Sequence, residues 1–427
     1  MRPAIPGLVP GIDPSVPAHP RVDARHEAGH DELWAIMTIP LKLGVIGLGR
    51  AFTLMLPTFS RHPYVRLVAA FDPRPEARAR FVHDFQATAY EDAEAVCADA
   101  AVQAVYVASP HQFHKEHVVL AARHGKHILV EKPMALTVSD CLVMIETAQR
   151  HNIHLLVGHS HSYDGPYVRA REMIRSGIFG RVCMISALNF TDFLYRPRRP
   201  EELDTRLGGG IVFSQAAHQV DVVRLLAGSR AAVVRAFTGQ WDQMRPTEGA
   251  YSAQIGFDNG AFASLIYSGY GRFDTDEFNG WIGELGQKRN SDSYGAARAL
   301  LGVVGSSEAE TELKQRRAYG SEGVDVFADR GDHTHNHFGL FIANCEGADL
   351  RPTPEGVLVY GDKERRLEKM DPPRVPRSEV VEELYAAAIL GQKPLHSGEW
   401  GMATLEICQA ILGSAKIGRE LGLRYQI

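Results

Sequence analysis

The apolar run Leu41 to Ile46 enters the turn Gly47-Leu48-Gly49, a helical stretch follows, and a second apolar run, Leu67 to Phe71, ends at Asp72, 23 residues after Gly49. Strand, glycine turn, helix and strand in that order make a βαβ unit, which restricts the chain to an α/β architecture in this region. Gly47 permits the tight turn, and Gly49 lets the main chain approach a pyrophosphate. The helix N-terminus beside Leu48 and Arg50 supplies amide donors and a favourable dipole. An acid ending the second strand stands where adenosine ribose hydroxyls are held, so Asp72 predicts NAD. Arg74, two residues on, leaves NADP possible through a 2′-phosphate. The third glycine of the usual pattern is missing. Phe52 takes its place, so helix and strand must pack further apart or the ring must turn away.

A chain of 427 residues with 45% hydrophobic content can bury a sizeable core and is expected to form two domains. Its net charge of -5 offers no electrostatic footprint for nucleic acid or an anionic membrane, which favours a small-molecule partner. The five cysteines are scattered and never paired as CxxC, so a reducing cytoplasm is expected. The first 36 residues, rich in Pro, His and acidic side chains, hold no apolar run long enough for a signal peptide or a membrane helix. Residues 1–40 are expected to be a disordered extension, with Met37 as an alternative start.

Further along, the strand Ala104 to Ala108 ends in Ser109-Pro110-His111, a helix is expected from His114 to Arg123, and the strand Ile128 to Val130 ends in Glu131-Lys132-Pro133. Ligands of such sheets sit at the carboxyl ends of the strands, so two adjacent ends converge on one crevice. Pro133 pushes Lys132 into an extended conformation and fixes where its side chain leaves the backbone, facing a bound nicotinamide.

With GLG at 47 to 49, SPHQFH at 109 to 114, GKHILVEKP at 125 to 133, GIFGRV at 177 to 182 and GGGIVFSQAAHQVD at 208 to 221, the chain resembles the glucose-fructose oxidoreductase and inositol dehydrogenase family (Gfo/Idh/MocA) over about residues 41 to 427. The resemblance implies an N-terminal Rossmann domain for NAD or NADP, here 41–160. It also implies a C-terminal α+β domain, here 161–427, with a large, mostly antiparallel sheet that shapes the substrate pocket and often forms the interface of a homodimer or homotetramer. Hydride transfer at a carbinol carbon would then involve Lys132 and His218. The cofactor would meet Gly47, Leu48, Gly49, Arg50, Asp72, Ser109, Pro110, His111, His114, Glu131, Lys132 and His161.

Val182 to Asn189, Ala232 to Gly239, Ala250 to Asp258 and Gly260 to Ser268 look like strands, with Asp258-Asn259-Gly260 as a hairpin turn. Gly208-Gly209-Gly210 is expected to be a backbone device at the entry to a helix running from Val212 to Leu226, which carries His218. A neutral imidazole there suits acceptance of an alcohol proton. Many family members carry an aspartate four residues before this histidine, whereas this chain has Ser214. The serine is expected to bond the substrate hydroxyl or orient His218, leaving base work to His218 or Lys132 and a pocket more tolerant of an anion. Arg196, Arg198 and Arg199, stiffened by Pro197 and Pro200, are suited to bind carboxylates bidentately. The alternative is a solvated turn paired with Glu201, Glu202 and Asp204.

DFLYRPRRPEELD at 192 to 204 and HFGLFIANCEGADLRPTPEGVLVYGD at 337 to 362 resemble the phthalate cis-4,5-dihydrodiol dehydrogenase subgroup. That resemblance implies oxidation of an anionic cyclic diol. The alternatives are a sugar or inositol dehydrogenase, a dehydrogenase of a carboxylated muconic semialdehyde hemiacetal, and a non-catalytic nucleotide sensor. His333, His335 and His337 alternate and would share one face of a strand, but no bound metal is expected. A polar insertion is expected at about 286–335.

Overall fold

The computed structural model describes residues 39–293, 295–321 and 333–427. The expected disordered extension lies outside them except for its last two residues, as does part of the expected insertion. Strand β1 (Leu41–Ile46), helix α1 (Arg50–Arg61), β2 (Val65–Phe71), α2 (Pro75–Phe85), β3 (Thr88–Tyr90), α3 (Ala93–Ala98), β4 (Ala104–Val107), α4 (His114–Arg123), β5 (His127–Val130), α5 (Val138–Arg150) and β6 (Leu155–Val157) alternate. Their strands form one sheet in the order β3-β2-β1-β4-β5-β6, every pairing parallel. This is the Rossmann order, whose reversal between β1 and β4 opens a crevice at their carboxyl ends. The central strands read as unbroken apolar runs because helices cover both faces; β4 and the last four residues of β1 are buried throughout.

Phe52, in place of the third glycine, packs its ring into the core shared by β1 and α1. It is fully buried, 5.2 Å edge-on from the ring of Tyr319 and 6.4 Å from Phe81. Tyr319 comes from far along the chain and donates to the Asp84 carboxylate at 2.8 Å.

After α6 (Gly165–Arg175), the second sheet takes β7 (Val182–Phe190). A π-helical turn at Val212–Ala216 leads into α7 (Ala217–Ala227), followed by β8 (Ala231–Gly239), β9 (Ala250–Phe257) and β10 (Phe262–Ser268). The expected helix from Val212 to Leu226 is therefore widened and under-wound at its start. Helices α8 (Ala296–Val303) and α9 (Ser307–Gln315) lie in the expected insertion. Strands β11 (Leu340–Cys345), β12 (Ala348–Thr353), β13 (Gly356–Gly361) and β14 (Arg365–Lys369), helices α10 (Ser378–Leu390) and α11 (Gly398–Ile417), and β15 (Leu421–Gly422) complete the described chain. The nine-stranded order is β14-β13-β12-β11-β7-β10-β9-β8-β15, antiparallel except for the β7–β10 pair. Val380, Val381 and Leu384 of α10 pack into the same core as β1 and α1, so the chain's end returns to its first sheet. No described helix is long and apolar enough to cross a membrane.

Candidate active site

At the crevice, Leu48 N–H donates to Asp72 Oδ2 at 2.7 Å, tying the glycine turn to the end of β2. Arg74 folds back on the same carboxylate, Nε to Oδ1 at 2.8 Å, and also donates to the Leu48 carbonyl at 2.9 Å. Gly49 caps α1 without any side-chain hydrogen bond, and a Cβ on it would meet nothing within 4 Å. A helix start without a side-chain cap, beside a glycine with open space, fits a dinucleotide's pyrophosphate.

The ends of β4 and β5 lie side by side, but the residues there divide. The His114 ring is fully buried between the carbonyls of Ser109 (2.9 Å) and Pro133 (3.0 Å). Burial pushes its pKa down to about 4, so the neutral ring donates to one carbonyl at a time. His114, expected beside the cofactor, clasps the two strand ends together through its ring. Ser109 Oγ is 2.9 Å from His117 Nδ1. Glu131 accepts from Tyr106 Oη at 2.5 Å, and burial raises its pKa. Pro110 opens the turn carrying His111, whose imidazole burial pushes down to about 3, with His114 and Lys132 adding to the effect.

Lys132 Nζ reaches across to the second domain and donates to the main-chain carbonyl of Ser214 at 2.7 Å. Burial lowers the pKa of its ammonium, while the carboxylates of Glu131 and Glu284 oppose that shift. The hydroxyl of Ser214 is turned back onto the carbonyl of Gly210 within the π-helical turn. The expected contact of the Ser214 hydroxyl with His218 is thereby corrected. The residue contributes its carbonyl, which accepts from Lys132 Nζ and, at 3.1 Å, from Gln215 Nε2. Gly209 belongs to the same device, since a Cβ there would stand 2.6 Å from the Glu201 carbonyl oxygen.

His218 is buried, and neither of its ring nitrogens has a hydrogen-bond partner among the described residues. Burial, then the positive charges of Lys132 and His161, holds its pKa well below the ordinary imidazole value, so the ring is neutral. It packs 4.9 Å from the His161 ring and 5.0 Å from Phe338.

His161 differs in state from its neighbour. Its Nδ1 is 2.6 Å from Asp164 Oδ2 and its Nε2 is 3.3 Å from Glu284 Oε1. Burial acts to lower its pKa, but the two carboxylates outweigh burial and raise it. Despite burial, Asp164 is held well below its ordinary value by His161 and His159. Glu284 is held down to about 2 by His161 and Arg196, again against burial. His161 thus lies in a charged cluster beside His218. Residue spacing held no sign of Asp164 or Glu284, which come from separate segments and carry no motif.

The signs of these shifts set a stability window. A raised histidine contributes fully below its ordinary value of 6.5 and fades as pH climbs through the raised value. A lowered aspartate contributes above its ordinary 3.8 and is lost as pH falls through its depressed value. Asp164→Asn should therefore cost about 3 kcal/mol in denaturant unfolding between those two ordinary values, and progressively less at higher pH. A cost independent of pH would contradict the ion pair.

The three arginines separate. Arg196 pairs with Asp192 at 3.0 Å, and Arg199 with Glu201 at 3.1 Å and Glu202 at 3.6 Å. The Arg198 guanidinium lies 3.5 Å over the Phe193 ring, donates to the Phe193 carbonyl at 2.8 Å and pairs with Glu202 only at 3.9 Å, and its buried Nε has no partner among the described residues. Asp204, expected to pair with this loop, pairs with Arg206. The alternating histidines are not in a strand. The ring of His337 is held by Asn279 and the Ile282 carbonyl, while His335 binds through its main-chain N–H to Pro354. Among the described residues no cluster of three or more His, Cys, Asp and Glu is placed to hold a metal ion.

The description "oxidoreductase family, NAD-binding Rossmann fold" (GFO_IDH_MocA) matches residues 41–159, and the GFO/IDH/MocA C-terminal domain matches 167–280. The 1-carboxy-3-chloro-3,4-dihydroxycyclohexa-1,5-diene dehydrogenase of Comamonas testosteroni is 47% identical over 381 residues, 88% of this chain and 95% of that protein. A solved Bordetella bronchiseptica RB50 protein described as a dehydrogenase superposes with a TM-score of 0.85 at 41% identity, over 90% of this chain and 100% of its own. The WlbA dehydrogenase of Bordetella pertussis, solved with NADH and UDP-GlcNAcA, shares the fold at 18% identity and a TM-score of 0.64, over 90% and 99% of the two chains. With both domains matched and nearly half its residues shared with a dehydrogenase along its length, the chain belongs to the Gfo/Idh/MocA family of NAD-binding oxidoreductases.

Proposed function

We propose that this chain oxidises a carboxylated cyclohexadiene cis-diol, with phthalate cis-4,5-dihydrodiol and its monocarboxylate counterparts as candidate substrates. The observation that carries the reading is Arg198, a buried guanidinium with an unpartnered Nε whose positive charge acts on Lys132. Its incomplete neutralisation suits a ligand carboxylate. The Comamonas relative, named for a carboxylated dihydrodiol, supports the same chemistry. Arg196 and Arg199 already have protein carboxylates, which favours one strongly held substrate carboxylate over two.

Bound nicotinamide supplies the acceptor for the carbinol hydride. Gly47, Leu48, Gly49, Arg50 and Asp72 hold the dinucleotide, and His111 flanks its reactive end. Lys132 takes the hydroxyl proton. Placing that proton on His218 would create a buried imidazolium beside His161, whereas burial lowers the pKa of Lys132 and so eases its use as the base. The Ser214 carbonyl aims that amine, and neutral His218 orients the hydroxyl by hydrogen bonding. The resulting dienone enolises to a catechol.

NADH formation from phthalate dihydrodiol, a monocarboxylate dihydrodiol, an uncharged dihydrodiol and inositol tests the reading. Either carboxylated diol should exceed the uncharged one in kcat/KM by about 10- to 100-fold, the worth of one charge-assisted hydrogen bond. Equal turnover of the uncharged diol or inositol would sink the proposal.

A further inference from the structure

Behind Lys132 lies a small cavity with room for about one water molecule, lined among others by Lys132, Ser160, Asp221 and Thr404. Ser160 Oγ is buried and has no hydrogen-bond partner among the described residues. From Asp221 a chain of polar contacts runs outward. Ser162 Oγ donates to Asp221 Oδ2 at 3.0 Å and lies 2.9 Å from His396 Nε2; His396 Nδ1 is 2.8 Å from Glu383 Oε2. Glu383 is 19% exposed and accepts from the His396 main-chain N–H as well. The other oxygen of Asp221 is fixed by Trp400 Nε1 at 2.9 Å and by Thr404, and the His396 ring stacks on Tyr163 at 3.6 Å.

Alcohol oxidation leaves one proton behind for every hydride transferred, and that proton must leave a buried lysine before the next turnover. We propose that it leaves through this chain, by way of a water held between Lys132, Ser160 and Asp221, making Asp221, Ser162, His396 and Glu383 an exit relay. The proposal rests on Lys132 being the base. In each passage Lys132 gives a proton to the water, which passes one to Asp221. Once Asp221 is protonated the Ser162 hydroxyl turns toward His396; Asp221 then protonates Ser162 Oγ as the serine's own proton moves to His396 Nε2, the proton on His396 Nδ1 leaves for Glu383 and solvent, and the ring regains its starting tautomer by exchange with solvent. No bond other than O–H and N–H changes, and no other reactant is needed. These side chains act through Lys132 and are positioning and relay residues.

The test uses full-length Ser162→Ala, His396→Gln and Glu383→Gln proteins, the last being partly exposed and safe for folding. With a carboxylated dihydrodiol and NAD in dilute buffer, kcat should fall about 10- to 100-fold, with KM unchanged and a larger solvent deuterium effect, and concentrated imidazole should restore it to within about threefold. Variants that match the parent, or losses that imidazole leaves untouched, overturn the relay. A crystal structure of the parent protein supplies a readout that needs no substrate. A water within hydrogen-bond distance of Lys132 Nζ, Ser160 Oγ and Asp221 supports the relay, and a dry cavity overturns it even if the diol reading holds. Imidazole rescue of the relay variants alongside an active Lys132→Met protein would instead locate the failure in the assignment of the base.

Discussion

Lys132→Met should lose at least about a thousandfold in NADH formation, while its affinity for NAD stays within a few-fold of the parent. The asymmetry follows from where the lysine sits. Its Nζ is spent on the Ser214 carbonyl across the crevice, not on the glycine turn or Asp72 that hold the far end of the dinucleotide. Methionine matches the stem in length and packs equally well but carries no proton and no donor. Turnover by initial rate and NAD binding by fluorescence titration separate the two effects. An active Met protein would remove the base from the mechanism, and a large loss of NAD affinity would show that the lysine mainly holds cofactor.

Gly47→Val reverses that pattern. Gly47 has φ of +99°, where a β-branched residue is strained, and a Cβ would stand 2.7 Å from the Ala108 carbonyl oxygen and 2.8 Å from Ser109 N. Both neighbours are backbone and cannot rotate aside, so the turn must lift away from the end of β4. Strain of about 1–3 kcal/mol, relieved only by distorting the cradle, predicts a loss of NAD affinity of about 10- to 100-fold. Calorimetric titration with NAD checks this, and unchanged affinity would show that the turn does not set the cofactor's position.

What could be read from the residues alone was local. Leu41 to Ile46, Asp72 and the Glu131-Lys132-Pro133 strand end announce themselves because strand, turn and acid fall within a short stretch whose periodicity is unambiguous. The helix at His114 and the hairpin at Asp258 were legible for the same reason. Ser214 was located but misread in detail, because a sequence displays side chains and the group that matters there is a main-chain carbonyl in a π-helical turn. Glu284 escaped altogether. It is 123 positions from His161, in an irregular segment without repeating pattern, and only the tertiary fold brings the two together. The absence of an aspartate at 214 had suggested a site poor in negative charge; Asp164 and Glu284 supply carboxylates from elsewhere.

Phe52 carries a consequence for synthesis. With a ring where glycine is usual, α1 needs an apolar lid, and that lid is Tyr319 and the adjoining Val380, Val381 and Leu384 of α10. A ribosome that has released only the six parallel strands has made every residue of the nucleotide turn but not the surface that covers its helix. The first sheet to be translated is thus among the last to be sealed. Until the final fifth of the polypeptide emerges, the nascent chain presents an uncovered apolar face of the kind that chaperones hold.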